Sequence, residues 1–169
     1  DFTLTEVLGP SGPIARRLGE GYEYRPQQEA MAGAIAETMA QKGRLLVEAG
    51  TGVGKSFGYL LPAIERIVRH GERVLIATNT IALQEKLIEK DVPLLKSVMP
   101  VEFSAVLVKG RRNYVSLRRL ELASRRQQAI FTDAASRQSL HQVEEWAYHT
   151  DDGTLATLPQ LERSAVWDR

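Results

Sequence analysis

The chain has 169 residues, of which 43% are hydrophobic and 25% charged, enough for a buried core in a protein of ordinary soluble composition. Its formal net charge is +1, so no overall basic field marks a nucleic-acid partner and any such reading must rest on local clusters. The absence of cysteine excludes disulfides, thiolate zinc or iron–sulfur ligation and cysteine nucleophiles within these residues, and three scattered histidines argue against a protein-only metal site. No apolar run reaches membrane-spanning length and no signal peptide is visible, so the expectation is a soluble, cytoplasmic protein with no membrane partner. The start at Asp1, with no initiator Met, is what a fragment of a longer protein would show.

Residues 1–24 hold Gly9-Pro10-Ser11-Gly12-Pro13 and read as an irregular lead-in with one short helix around Ile14 to Leu18. Pro26 then opens a helix. Ala30, Met31, Ala34, Ile35 and Met39 recur in it at helical spacing, and Gly43 ends it. Leu45-Leu46-Val47 is a short apolar run that stops at a glycine loop and reads as a buried strand. A helix follows from Lys55 to about His70, with Leu60, Leu61, Ile64, Ile67 and Val68 inward, and Gly71 stops it. Val74-Leu75-Ile76-Ala77 reads as a second buried strand. A helix from about Ile81 to Lys90 turns Leu83, Leu87 and Ile88 inward, and residues 103–108 read as a third strand.

Strand, helix, strand, helix, strand predicts an α/β fold, a parallel sheet flanked by helices. After Gly110 the buried-strand runs disappear. Residues 111–149 read as two helices rich in Arg, Gln and Glu, residues 150–158 as a polar turn and weak segment, and residues 159–166 as a short helix. The expected division is therefore 1–110 and 111–169, the second part a small, mostly helical insertion.

The residues with the most specific chemistry are Ala49-Gly50-Thr51-Gly52-Val53-Gly54-Lys55-Ser56. Three glycines in five residues let backbone N–H groups converge on one point, and phosphate oxygens suit that concavity. A helix beginning at Lys55 adds free N–H groups and the positive end of its dipole. Lys55 reaches the β- and γ-phosphates of a nucleoside triphosphate, and the Ser56 hydroxyl is placed to ligate Mg²⁺. Ala49 stands where the usual pattern has a first Gly. A glycine turn that merely joins strand to helix would not explain Lys-Ser at this offset.

One helix upstream lies Arg25-Pro26-Gln27-Gln28. The amide of Gln28 both donates and accepts, as reading the N6 and N7 edge of adenine requires; a polar helix start is the plainer alternative. Thr78-Asn79-Thr80 sits where the second strand gives way to a helix. Its hydroxyls, amide and helix N–H groups suit phosphate oxygens, and an N-cap cluster is the compatible structural reading. Lys109, Arg111 and Arg112, then Arg118, Arg119, Arg125 and Arg126, form the densest basic stretch. Tyr114 lies within it, available to stack on a base. For the arginines at 118–126 a solvated helix face, with i,i+4 pairing to acids such as Glu121, is the preferred reading.

Taken in order, these segments resemble the DinG branch of the XPD-like superfamily-two DNA helicases. Residues 49–56 resemble motif I, Arg25-Pro26-Gln27-Gln28 the upstream Gln-containing motif, and Thr78 to Gln84 motif Ia. Lys109-Gly110-Arg111-Arg112-Asn113-Tyr114 is similar to the lead-in to the iron–sulfur domain of that branch. The resemblance implies a RecA-like P-loop NTPase fold and ATP-driven translocation on single-stranded DNA with duplex unwinding, 5′-to-3′. It further implies ATP and Mg²⁺ at Lys55 and Ser56, adenine at Gln28 with Arg25 beside it, and DNA at Thr78, Asn79, Thr80, Gln84, Lys109, Arg111 and Tyr114. The setting would be DNA repair or replication, or a CRISPR effector or other nucleoprotein complex.

Two departures qualify it. The lead-in normally ends in a cysteine, where this chain reads Tyr114-Val115-Ser116-Leu117. The expectation is thus a lineage with no iron–sulfur cluster and a vestigial cluster domain at 111–169, held by packing through Leu117, Leu120 and Leu122 or Trp146 and Tyr148. No Walker B Asp-Glu follows an apolar strand, and no second lobe with an arginine finger is present, so the chain by itself is expected to be inactive. The alternatives are another P-loop ATPase, or a nucleotide-binding module without DNA coupling.

Overall fold

The computed structural model describes residues 2–168. The chain divides into two compact units, Asp1–Leu107 and Val108–Arg169.

The first unit is built of helices. Thr3 accepts from the Glu6 backbone N–H while the Glu6 carboxylate accepts from the Thr3 N–H, a reciprocal cap that starts α1 (Leu4–Leu8). This helix falls within the stretch expected to be irregular, and Thr-x-x-Glu before an apolar pair is its visible signal. Pro13 opens α2 (Pro13–Leu18) and Pro26 opens α3 (Pro26–Ala40). Glu29 of α3 accepts from the Thr5 hydroxyl at 2.7 Å and the Tyr24 hydroxyl at 2.8 Å, tying α1 to α3. Those bonds, Thr5 first, hold its carboxyl below the usual carboxylate range.

Helix α4 (Lys55–His70) is the predicted one, and Gly71 ends it in the left-handed region at φ 65°. Pro62 lies inside it and removes one intrahelical hydrogen bond without breaking it. The α3 and α4 backbones approach closely at Gly58, where a Cβ would stand 3.2 Å from Met31 Sδ. Leu60, Leu61 and Ile64 are buried in the core with Val7, Leu8, Ile14, Ala32, Leu87 and Leu95. Truncating Leu61, which is fully buried, to Ala should cost about 2–5 kcal/mol. Ile67 is only half-buried and Val68 is exposed, against expectation.

The predicted helix at 81–90 extends further and changes pitch. It runs as α5 (Ile81–Lys86), a π turn (Leu87–Asp91) and α6 (Val92–Val98). Pro93 accounts for the change: its ring crowds the carbonyl four residues back, at Glu89 within the π turn, and it has no N–H to offer. Leu87 is buried as expected, Ile88 is half-buried and Leu83 is exposed.

The three predicted strands are not found. Residues 45–47, 74–77 and 103–108 carry no strand structure, and among the described residues the sole β pairing is an isolated antiparallel bridge, Tyr114 with Thr154. The apolar side chains face outward: Leu46 is 97% exposed, Leu75 92% and Val106 84%. A parallel strand is stable only when neighbours complete its ladder and helices cover both faces. Short apolar runs record what a segment can bury, not whether a partner is there to bury it. The same lack of cover leaves the apolar residues that recur at helical spacing along α3 half-exposed or exposed. Met31, Ile35 and Met39 line an open groove with Leu45 and Val47, and Ala30 and Ala34 are exposed.

The second unit is also mainly helical. Ser116 caps α7 (Leu117–Arg125), which is followed by α8 (Gln127–Ile130) and by α9 (Ala134–His149), capped by Asp133. Ala123, Phe131, Leu140 and Val166 form its core, with Leu120 against it. Trp146 is buried, as anticipated, and meets Trp167 edge-on at 6.0 Å. Leu117, Leu122 and Tyr148 are exposed and anchor nothing. On α7, Leu117 falls in the first turn, where Arg118 and Arg119 beside it are exposed as well. Asp152 gathers the turn after α9, accepting from the Thr154 N–H at 2.9 Å and the Thr154 hydroxyl at 2.8 Å. The helix expected at 159–166 is reduced to one 3₁₀ turn, Ser164–Val166.

Candidate nucleotide site

Gly52 and Gly54 have φ of 86° and 81°, a region that side chains other than glycine enter only with strain. The space where a Cβ would stand is open at Gly50 and Gly52, leaving the loop's inner surface accessible. Gly54 then caps α4, so the helix N-terminus and its unpaired N–H groups open directly onto the loop. The Lys55 ammonium turns back over the loop and donates to the carbonyls of Ala49 at 3.0 Å and Gly50 at 2.8 Å. Phosphate oxygens are stronger, charge-assisted acceptors than these neutral carbonyls, so the same ammonium is placed to exchange one for the other. Thr51 is exposed and Val53 half-buried at the loop's crest.

Ser56, in the first turn of α4, presents Oγ to the Lys86 ammonium at 3.3 Å, and the same Lys86 donates to Asp91 at 2.9 Å. A hydroxyl at the first turn after a glycine loop, next to an open cradle, fits Mg²⁺ carried in by nucleotide phosphates, since that ion takes few protein ligands. Lys86 and Asp91 were not singled out in the sequence. Pro93 marks a point where the helix is perturbed, but no local pattern in the sequence pairs Lys86 with Asp91 or with Ser56.

Gln28 is 4% exposed and donates through Nε2 to the Gly54 carbonyl at 2.7 Å. The residue chosen as an adenine reader is therefore fastened to the phosphate loop, and its amide nitrogen keeps a second hydrogen. Arg25 is the N-cap residue of α3 and pairs with Glu23 at 2.6 Å.

In the same unit, Thr80 caps α5 by accepting from the Leu83 N–H at 3.3 Å, and the Thr78 hydroxyl donates to the Thr80 carbonyl at 3.2 Å. Asn79 is exposed, and Gln84 is half-buried one turn on. In the second unit, Arg111 is exposed on a 3₁₀ turn, and the Tyr114 hydroxyl accepts from the Lys109 backbone N–H at 2.9 Å. Ser116 is occupied as a helix cap, and Arg125 pairs with Glu121 four residues earlier, the solvated-face arrangement preferred for those arginines. Among the described residues, no group of three or more His, Cys, Asp or Glu side chains is arranged to hold a metal ion, and no helix is long and apolar enough to cross a membrane.

A glycine loop feeding Lys and Ser into a helix, joined to an upstream glutamine, sits within a chain that belongs to the DEAD/DEAH box helicase family, whose model matches residues 24–147. Such helicase domains use ATP and Mg²⁺. The ATP-dependent DNA helicase YoaA of Escherichia coli is 34% identical over 168 residues, 97% of this chain and 25% of that protein. The ATP-dependent DNA helicase DinG of Photobacterium profundum is 47% identical over 102 residues, 57% of this chain and 15% of that protein. The 3′-5′ exonuclease DinG of Staphylococcus saprophyticus is 39% identical over 97 residues, 57% of this chain and 11% of that protein. The chain thus spans a quarter or less of the length of these relatives. No solved structure matches it.

Proposed function

We propose that the chain is the amino-terminal part of the motor of an ATP-dependent DNA helicase of the DinG type, which couples ATP hydrolysis to 5′-to-3′ movement on single-stranded DNA. The observation that carries this reading is the loop at residues 49–56, with left-handed glycines, a lysine folded over the loop carbonyls and a serine in the first turn of α4. Lys55 binds the β- and γ-phosphates and offsets charge that develops on the transferred group. Ser56 would hold the Mg²⁺ that accompanies them, and that ion would supply further charge neutralisation there. Gln28 keeps the loop in register with the base-reading segment and uses its remaining amide capacity on adenine, with Arg25 at the same helix start.

Within this reading the apolar runs at 45–47, 74–77 and 103–108 are strands of a RecA-like parallel sheet, supported by family membership and by their alternation with helices. Residues 1–110 belong to that lobe, and residues 111–169 form a helical insertion without an iron–sulfur cluster, supported by the lack of cysteine. Thr78, Asn79, Thr80 and Gln84, and separately Lys109, Arg111 and Tyr114, contact DNA, mostly through its backbone. The protein works in the cytoplasm on chromosomal DNA, in repair or replication; a CRISPR-associated complex is the other setting in which a cluster-less helicase of this type would serve.

The test is steady-state ATP hydrolysis by the full-length protein with and without single-stranded DNA. Lys55→Ala should abolish turnover while circular dichroism stays unchanged. Hydrolysis within a few-fold of wild type would remove the loop from the mechanism, and hydrolysis insensitive to DNA would favour a P-loop ATPase without DNA coupling.

A further inference from the structure

Lys86 closes α5, the helix that Thr80 begins, and its ammonium reaches Ser56 Oγ on α4 at 3.3 Å. Its second acceptor, Asp91 Oδ2 at 2.9 Å, belongs to a side chain only 10% exposed. In a regular α-helix, residues five apart stand roughly 140° apart around the axis and do not share a face. The π turn Leu87–Asp91 widens the helix by one residue per turn and brings this pair together. A buried carboxylate thus holds a half-exposed ammonium on the hydroxyl at the head of the phosphate-loop helix.

We propose that Lys86 is a positioning residue that competes with Mg²⁺ for Ser56 and so relays metal–nucleotide binding to α5; this rests on the reading of Ser56 as the Mg²⁺ ligand. Ser56 Oγ has two lone pairs. Lys86 engages the oxygen from one side, and a bound Mg²⁺ would place a second, divalent cation on the same small atom. A bound Mg²⁺ would repel the ammonium and so would weaken the Lys86 bond to Ser56, with Asp91 as the acceptor that keeps Lys86 in place. Helix α5 is then freed from α4 at this point. Its start is the Thr78-Asn79-Thr80 segment, so a change at Ser56 reaches the proposed DNA-backbone contacts through a single side chain.

The two partners of Lys86 predict opposite effects. Lys86→Met removes the competing cation, so the Mg²⁺ concentration giving half-maximal binding of a fluorescent ADP analogue should fall about tenfold, the scale of one like-charge contact at close range. Asp91→Asn leaves the ammonium uncompensated beside Ser56, so that concentration should rise. Lys86→Arg keeps the charge and should stay near wild type. All are measured by magnesium titration of the full-length protein, with circular dichroism as the folding control and DNA-stimulated hydrolysis as a second readout, in which Lys86→Met should weaken the stimulation. If Asp91→Asn fails to fold, Lys86→Met alone decides. An unchanged half-saturation in Lys86→Met overturns the proposal, as do shifts of both variants in one direction; a rise in Lys86→Met would assign Lys86 to holding nucleotide instead. Lys55→Ala run in parallel separates the two failures. If it retains hydrolysis the nucleotide reading itself falls, whereas if it is dead and Lys86→Met is silent only the relay falls.

Discussion

Gln28 donates to the carbonyl of Gly54 at 2.7 Å, and the same Nε2 lies 2.1 Å from where a Cβ on Gly54 would stand. Gly54 is thus constrained twice, by its φ of 81° and by the glutamine pressed against it. Gly54→Ala should lower stability by at least about 1–2 kcal/mol from the left-handed backbone alone, with the displaced Gln28 adding to it. It should also abolish nucleotide binding. Adding Gln28→Ala restores room but not the backbone preference, so thermal unfolding should show partial rescue. Full rescue would mean that crowding, not conformation, is what glycine relieves.

The 169 residues contain no Asp-Glu dipeptide. Purified as such, the chain should bind nucleotide weakly and turn none over, because no carboxylate holds the metal's water shell or orients the attacking water. Magnesium-dependent release of phosphate above background by this chain would contradict that.

Asn79 is exposed between two threonines that are already bonded locally. Its side chain is the one in this segment with the most freedom to meet DNA. Asn79→Ala in the full-length protein should weaken binding to oligo-dT and to mixed-sequence strands alike, by about 2–10-fold, since a phosphate contact carries no sequence information. A loss confined to one sequence would point to base recognition.

Asp152 accepts first from the Thr154 backbone N–H, then from the Thr154 and Thr150 hydroxyls, and these bonds hold its carboxyl below the usual Asp range. A depressed carboxyl contributes stability that is fully present above its unfolded value, near 3.9, and lost as pH falls through the folded value. The turn after α9 should therefore loosen only below about pH 4. Both tryptophans of the chain, Trp146 and Trp167, lie in this unit. Their fluorescence should stay flat from neutral pH to about 4 and change below it, and Asp152→Asn should already show the loosened signal at neutral pH. A transition centred near pH 6 would implicate other groups.

Much of the site was legible because its signals are local. Gly54-Lys55-Ser56 sets a loop and a helix start by backbone rules alone, and the observed α4 begins at Lys55 and ends at His70 as expected. Gln28 stood out for its chemistry, but its bond to Gly54 spans 26 positions and no local pattern announces it. The same holds for Lys86 with Ser56, 30 positions apart. The expected strands are not formed here for the complementary reason: Leu46 and Leu75 have the right composition, but a ladder is a property of several segments at once. In the second unit Trp146 was readable as an anchor by size, whereas Phe131 and Val166 reach the core from outside the long helices and had no periodicity to mark them.

The three bare apolar runs also set how this stretch behaves in a tube. Leu46, Leu75 and Val106 stand in water beside backbone groups that no ladder occupies, in short segments rich in Leu, Val and Ile. Such segments are templates for one another, and pairing between copies of the chain satisfies groups that a single copy leaves unpaired in a ladder. Handled by itself, the chain should associate as its concentration rises, and light scattering should follow concentration more steeply than for a chain carrying Leu46→Lys and Leu75→Lys, where a charge on each run opposes stacking.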